Sequence, residues 1–201
     1  METRRKKNFI TRRREPKRFI LWLCMVGSAF LFTVLLGTYI VRKMGSDWHN
    51  VSLPRAFLAS TGVIMASSLT LHITNLAFRH ERFPQYRIYL GTTLFLGLLF
   101  VVLQMLGWRE LMLQGVYLQT NPSSSFLFLL SGLHLVHIVI GLVFLTIAFA
   151  EAMRRIPYVE SFVYSVNPPN RLKIRLYTLY WHFVDVLWLY VFLFLLLNHG
   201  L

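Results

Sequence analysis

Five long apolar stretches alternate along the chain with shorter segments that carry most of its charges and prolines. The stretches cover residues 19–41, 56–78, 88–107, 126–150 and 176–197. A helix needs about 20 mostly apolar residues to cross the hydrocarbon core of a bilayer, at a rise of about 1.5 Å per residue. Each stretch reaches that length, so the pattern predicts five transmembrane helices.

The composition supports a membrane protein. Of the 201 residues, 56% are hydrophobic and only 14% are charged, whereas about 25% are charged in a typical soluble domain. We therefore predict an all-α integral membrane bundle, residues 19–201, preceded by a basic arm, residues 1–18. The first stretch exceeds the roughly 7–15 apolar residues of a signal peptide, and we expect it to be retained as a helix.

The positive charges indicate how the bundle is oriented. The formal net charge is +13, and nine of the 21 Lys and Arg residues precede residue 19. A nucleic-acid-binding protein would instead present basic residues on a folded face, so we expect no nucleic acid partner. With five crossings, seventeen of the 21 lie on the side of the N-terminus. Because Lys and Arg remain preferentially in the cytoplasm, this split predicts a cytoplasmic N-terminus and an exterior C-terminus.

The second stretch carries a stripe of small polar residues. They recur every seven positions, nearly two helical turns, and therefore share one helix face. The two series are Ser60, Ser67, Thr74 and Thr61, Ser68, Asn75. Such a stripe lets helices approach closely and form hydrogen bonds across their interface, and a polar pathway is the alternative. We favour packing, and assign Ser67, Ser68 and Thr70 to a structural polar network.

Ionisable residues occur within the fourth and fifth stretches. His134 and His137 share a face of the fourth, and His182 lies three residues before Asp185 in the fifth. A charge in the bilayer core is costly, so Asp185 must face protein. We expect a histidine to be its partner, either His182 within the same helix or one of the two histidines of the fourth stretch.

Three interpretations of these histidines are open. They could ligate haem, relay protons, or bond helix to helix. The neighbouring side chains are bulky, including Leu133, Phe183 and Trp188, which disfavours a flat haem site. We therefore predict that His134, His137, His182 and Asp185 belong to the structural network, and that the chain has no catalytic, cofactor-binding or metal-binding residue.

Motifs in the last four stretches resemble subunit III of the haem-copper respiratory oxidases. The most specific is Tyr-Trp-His-Phe-Val-Asp at 180–185, followed by Trp188. The segment Ser-Gly-Leu-His-Leu-Val-His at 131–137, followed by Gly141, resembles the preceding helix of that family. Weaker matches, in family order, are Ser-Ser-Leu-Thr at 67–70 and Gly91, Phe100, Gln104 and Trp108.

The resemblance implies the five-helix form of the family and an accessory role. The chain would pack beside oxidase subunits I and II in a bacterial cell membrane, and would steady subunit I and its proton-uptake region. Haem and copper would lie in those partner subunits and none in this chain, which could bind phospholipid. A subunit of a quinol oxidase or a nitric oxide reductase complex is the alternative within the family. A b-type haem electron carrier is the rival from another class, and a small transporter is a third.

Two positions depart from the family pattern. Ser28 stands in the first stretch where the family usually has a glutamate, and Gly107 replaces a second one late in the third stretch. A proton role that depends on either carboxylate is therefore not expected of this chain.

Overall fold

The computed structural model describes residues 15–45 and 51–199. Its helices are α1 Glu15–Lys43, α2 Arg55–Arg79, α3 Phe83–Leu113, α4 Pro122–Arg154, the short α5 Tyr158–Val166 and α6 Pro168–His199. All regular secondary structure in the described part of the chain is helical, and every helix except α5 is long and apolar enough to span a membrane. The predicted all-α bundle of five spans is confirmed. Most of the predicted basic arm, residues 1–14, lies outside the described residues.

The helices extend beyond the apolar stretches that predicted them. The largest difference is at α6, which begins at Pro168, whereas the apolar stretch begins at residue 176. Hydropathy registers only the part of a helix that lies in lipid, while the intrahelical hydrogen bonds continue into the headgroup region. The apolar pattern also predicts no helix in the connection that contains α5, because a helix of nine residues is too short to stand out as an apolar stretch.

The last helix lies at the centre of the bundle. Helix α6 packs against α1, α2, α4 and α5, while α2 and α3 form a closely packed antiparallel hairpin and α3 also contacts α4. Of the five spans, α6 is the most buried and α1 the least. Trp181 and Trp188 of α6 are fully enclosed, together with Phe57 of α2 and Phe100 of α3. The side chains of α6 therefore organise the other helices.

Two helix ends follow from local backbone chemistry. Helix α4 begins at a capping box in which Asn121 Oδ1 accepts from Ser124 N at 2.9 Å, with Pro122 in the first turn. These residues satisfy or remove backbone donors that have no partner inside the helix. Helix α2 is followed, two residues after its end, by Glu81 at φ 60°, and Arg82 N bonds Ala77 O at 3.0 Å. This left-handed closure turns the chain directly into α3.

The two ends of the bundle differ in chemistry. Arg79, Arg82, Arg87, Arg154 and Arg175 lie where α2 and α4 end and where α3 and α6 begin, which we call the arginine-rich end.

At the opposite end, α1 is fastened to the last turn of α6. Tyr39 Oη donates to His199 Nε2 at 2.8 Å, and Lys43 Nζ donates to Asn198 Oδ1 at 2.9 Å. His199 Nδ1 bonds Val51 O at 2.8 Å, so the loop after α1 is tied to the same point.

Candidate functional site in the helix bundle

Helices α2 and α6 are joined by a ladder of side-chain hydrogen bonds. Thr178 Oγ1 donates to Asn75 Oδ1 at 3.1 Å, and Trp181 Nε1 donates to Ser67 Oγ at 3.1 Å. Farther along, Trp188 Nε1 donates to Thr61 Oγ1 at 2.9 Å. The polar stripe of α2 thus receives indole and hydroxyl donors from α6, as interhelical bonds in membranes commonly do.

Trp181 contacts three other helices at once. Besides its bond to Ser67 of α2, its ring lies between two glycines, Gly97 of α3 and Gly141 of α4. A Cβ atom built at Gly97 would lie 2.8 Å from Trp181 Cη2, and one built at Gly141 would lie 2.9 Å from Cε3. Both distances are shorter than a carbon–carbon contact allows, so the two glycines make the space that the indole occupies.

His134, one of the two histidines of α4, is fully buried and packs against two aromatic rings. The His134 ring centroid lies 4.9 Å from that of Trp188 and 5.8 Å from that of Phe100. Its two ring nitrogens are enclosed by protein atoms, and neither has a hydrogen-bond partner among the described residues. Trp188 therefore joins α6 to α4 through a tilted ring contact with His134 and to α2 through its indole N–H.

Of the histidines expected as partners of Asp185, only His182 lies beside it, at ion-pair distance and not at hydrogen-bond distance. The nearest histidine nitrogen, His182 Nδ1, lies 3.9 Å from Asp185 Oδ2, beyond hydrogen-bond range. That nitrogen bonds instead to Ser68 Oγ at 2.8 Å. Ser68 also lies near the carboxylate, but no hydrogen bond of ordinary geometry reaches either carboxylate oxygen from the described residues.

The expectation of a second bond to Asp185 from His134 or His137 is wrong, because both histidines face other groups. His137 Nε2 and Ser28 Oγ of α1 are 3.0 Å apart, and His137 Nδ1 lies 2.8 Å from Leu133 O. Tyr180 Oη of α6 donates to His137 O at 3.1 Å. Ser28, at the family's glutamate position, thus bonds α1 to α4 without supplying a carboxylate.

Gly107, at the second glutamate position, is explained by packing. A Cβ atom there would lie 2.5 Å from Phe57 Cε1, and Phe57 is completely buried. A side chain at position 107 has no room unless Phe57 moves, so the close approach of α2 and α3 requires a glycine here.

The remaining polar residues of α3 bond to its neighbours in the bundle. Gln104 Nε2 donates to Ser60 Oγ at 2.9 Å, and Thr70 and Thr93 hydroxyls lie 2.9 Å apart. Gln104 Oε1 has no partner among the described residues. Trp108 Nε1 donates to Ser131 Oγ of α4 at 3.0 Å, which links a third helix pair. Sequence reasoning assigned Ser67, Ser68 and Thr70 to a network, but it did not identify these partners.

The geometry of His134 and His137 does not fit haem ligation. An axial histidine must direct a free nitrogen at iron. Both nitrogens of His134 are enclosed by protein, both nitrogens of His137 are bonded, and His182 Nδ1 is bonded to Ser68. Within residues 15–45 and 51–199, no three His, Cys, Asp or Glu residues are grouped as metal ligands.

Sequence reasoning missed a hub at the arginine-rich end. Arg87 of α3 donates to Ala152 O at 3.1 Å, to Arg155 O at 2.6 Å and to Ser161 Oγ at 2.9 Å. One guanidinium therefore joins α3, the end of α4 and the short α5. The only sequence signal is an arginine near the start of an apolar stretch, which by itself indicates topology and not a partner.

A second cluster lies beside this hub. Glu151 of α4 accepts a hydrogen bond from Tyr164 of α5, and Lys173 Nζ of α6 lies 2.9 Å from Glu151 Oε1. The Arg155 guanidinium lies over the Tyr164 ring, 4.2 Å from its centroid. Burial, and then the hydrogen bond to Glu151, raise the pKa of Tyr164 well above its usual value, so its hydroxyl remains a donor at every physiological pH.

A groove opens at the same end between α1, α2 and α6. Its volume is about 670 Å³, and four arginines are among the residues that line it, namely Arg18, Arg79, Arg171 and Arg175. Trp22, His72, Asn75, Leu76, Leu179 and His182 form part of its walls. The groove is thus lined by cationic, polar and apolar side chains, and His182 of α6 is one of them.

Comparison of the sequence with known proteins identifies relatives of this chain. The chain matches the family Cytochrome c oxidase subunit III over residues 18–199. It is 26% identical over 191 residues to the Cytochrome bo(3) ubiquinol oxidase subunit 3 of Buchnera aphidicola subsp. Schizaphis graminum, an alignment that covers 92% of this chain and 95% of that protein.

Two further relatives come from other bacteria. Identity is 28% over 177 residues to the Cytochrome c oxidase subunit 3 of Bacillus sp. PS3, covering 85% of this chain and 80% of that protein. Identity is 26% over 176 residues to the Probable quinol oxidase subunit 3 of Staphylococcus saprophyticus, covering 85% and 83%. Because the family match extends over nearly the whole chain, and its signature residues form the contacts that join the helices, the chain belongs to the cytochrome c oxidase subunit III family.

Proposed function

We propose that this protein is the accessory subunit III of a bacterial haem-copper terminal oxidase, and that it packs against subunit I, with subunit II as a further partner, and stabilises the proton-uptake region of subunit I. The observation that carries the proposal is the family match over residues 18–199. It is supported by the use of the signature residues Trp181, Trp188 and His137 as joints between helices. The relatives are named as ubiquinol, quinol and cytochrome c oxidase subunits, so the proposal concerns the oxidase complex and not its electron donor.

We infer that the chain itself carries neither haem nor copper, and that the redox centres belong to the partner subunits. The enclosed nitrogens of His134 and the bonded nitrogens of His137 support this inference. The test is the visible spectrum of the purified complex before and after this chain is separated from it. We expect the haem absorbance to stay entirely with the partners. A haem band that remains with the separated chain and disappears in His182→Ala would establish the electron-carrier alternative instead.

We further propose that the arginine-rich end faces the cytoplasm and that the C-terminus lies outside. The distribution of Lys and Arg supports this orientation. A phosphatase fused after residue 201, which is active only outside the cytoplasm, should be active. A cytoplasm-only reporter at the same position should be silent, and the reverse pair of results would contradict the orientation.

The groove between α1, α2 and α6 is suited to a structural phospholipid. Its four arginines could bind a phosphate through charge-assisted hydrogen bonds, while Trp22, Leu76 and Leu179 offer surface to an acyl chain. We expect phospholipid to remain with the purified protein, and to be lost when Arg79 and Arg175 are both changed to Gln.

The matched control is Arg109→Gln, which removes an exposed arginine from α3 near the opposite end of the bundle. It should leave the retained lipid unchanged. Equal lipid content in all three proteins, measured by mass spectrometry of extracts, would refute a lipid site in the groove.

A further inference from the structure

The short helix α5 buries its polar face and exposes its apolar face, which is the reverse of what is expected of a helix on the surface of a water-soluble protein. Its two buried residues are serines, Ser161 and Ser165. Its large apolar side chains are exposed, and they are Tyr158, Val159, Phe162, Val163 and Val166. Val159 is 70% and Val163 is 64% exposed. At about 100° per residue, the exposed apolar positions cover an arc of about 140°, and Glu160 lies beyond its edge.

The bundle fixes this orientation. Ser161 Oγ accepts from Arg87 at 2.9 Å and donates to Arg155 O at 2.6 Å. Arg171 Nε of α6 donates to Ser165 O at 2.5 Å, and Tyr164 donates to Glu151 of α4. With its polar side bonded to three spanning helices, α5 cannot turn its valines inward without breaking these bonds.

The contacts of α5 also set its depth. Tyr158 lies against Phe83 in the first turn of α3, with ring centroids 5.4 Å apart, and its hydroxyl donates to Glu81 of the α2–α3 turn at 3.3 Å. These residues belong to the arginine-rich end, where the spanning helices leave the hydrocarbon. At nine residues, α5 is about 13.5 Å long and cannot itself cross a bilayer.

From these observations we propose that α5 is an interfacial helix embedded in the phospholipid leaflet at the arginine-rich end. Its apolar face lies among the upper acyl chains, as amphipathic helices with exposed apolar faces do at membrane surfaces. The charges around it fit this occupant. Arg154 and Arg171 flank the helix and are exposed, and at this depth they meet lipid phosphates. If α5 lay in water, its contiguous apolar surface would be exposed to solvent, although a membrane that can cover this surface is adjacent.

The proposal can be tested by spin-label depth measurements on the full chain in lipid nanodiscs, and on the chain in its native complex. The background is Cys24→Ala, since Cys24 is an exposed free thiol. The reporter is Val163→Cys, and Val159→Cys repeats the measurement on the same face. The matched control is Glu160→Cys, which lies one residue from position 159 and three from position 163. Val102→Cys, on the exposed side of α3, is the reference for a label that faces lipid.

Accessibility to oxygen, which partitions into lipid, is compared with accessibility to a water-soluble nickel chelate. We expect labels at 159 and 163 to be open to oxygen and shielded from nickel, about 5–10 Å below the phosphates. The label at 160 should be nickel-accessible. Free access of nickel to position 163 in nanodiscs would overturn the proposal. Shielding of position 163 from both reagents in the native complex would also overturn it, and would identify the surface as a contact with a partner subunit.

Discussion

Replacement of Gly141 by alanine tests whether Trp181 is the centre of the bundle. The new Cβ atom would lie 2.9 Å from Trp181 Cε3 and 3.0 Å from Cζ3, whereas ordinary contacts begin near 3.4 Å. The indole cannot retreat freely, because Gly97 contacts its other edge and its N–H is bonded to Ser67 at 3.1 Å. Overpacking of this kind costs about 1–3 kcal/mol.

The control is Gly132→Ala in the same helix. A Cβ atom there would meet Trp108 at 3.7 Å, an ordinary contact. Both substitutions gain the roughly 0.5–1 kcal/mol by which alanine exceeds glycine in a helix, so this term cancels in the comparison. We expect Gly141→Ala to unfold more easily than Gly132→Ala by about 1–3 kcal/mol. The assay is reversible unfolding of the purified chain in mixed micelles as the fraction of denaturing detergent rises.

Equal stability of the two alanine variants would refute this reasoning, because it would mean that the indole is free to move. A second variant separates packing from hydrogen bonding. Trp181→Phe removes the N–H that bonds Ser67 and leaves a buried hydroxyl with one fewer partner, which costs about 1–3 kcal/mol. If Trp181→Phe costs less stability in the Gly141→Ala background than in the native chain, steric crowding at the ring is the cause.

Three further predictions concern other contacts. Ser28→Ala leaves His137 Nε2 without its partner and should lower stability by about 1–3 kcal/mol in the same assay. A carboxyl-directed carbodiimide should label residues 19–41 only after Ser28→Glu, because this stretch has no carboxylate of its own, and labelling within 19–41 in the native chain would contradict this. Asp185→Asn should change stability by less than about 1 kcal/mol, because the carboxylate is not hydrogen-bonded to a described residue. This variant should also leave oxygen reduction and proton pumping intact. Asp185→Leu changes the shape of the side chain and should be more damaging. Severe loss of pumping in an Asp185→Asn complex that assembles normally would show a proton relay. A lysine at position 87 cannot form the several hydrogen bonds that Arg87 donates to α4 and α5. Amide hydrogen exchange across residues 155–166 should therefore be faster in Arg87→Lys, and unchanged exchange would show that Arg87 does not hold these segments together.

Much of the architecture could be predicted from hydropathy and spacing. The five apolar stretches correspond to α1–α4 and α6, because membrane spans must be long, apolar and fully bonded internally. The spacing of seven residues between Ser60, Ser67 and Thr74 predicted a packing face of α2. In the structure, that face lies where α2 contacts α3 and α6. Periodicity therefore predicted which side of α2 is buried.

The partners of these residues could not be predicted in the same way. His182 and Asp185 are three residues apart on α6, yet Ser68 of a different helix takes the histidine nitrogen. Rotation of each helix about its axis decides such contacts, and that rotation depends on packing of the whole bundle. The role of Gly107 was hidden for the same reason, since only the approach of Phe57 from α2 explains why no side chain fits there.

Helix α5 illustrates a different limit. Its exposed apolar positions have helical spacing in the sequence, but a nine-residue segment is too short for hydropathy to separate from the connection around it. Its orientation is set by Arg87, which is more than 70 residues from Ser161 in the sequence. A hydrogen bond between residues so far apart leaves no pattern in the sequence near either residue.

The most direct test of the central claim is purification of this chain through a C-terminal affinity tag from native membranes in a mild detergent. The account predicts co-purification with the haem- and copper-containing subunits of a terminal oxidase in a fixed ratio, with oxygen-reducing activity in the same fraction. Recovery of the tagged chain alone, or with its own haem and no oxidase subunit, would contradict it.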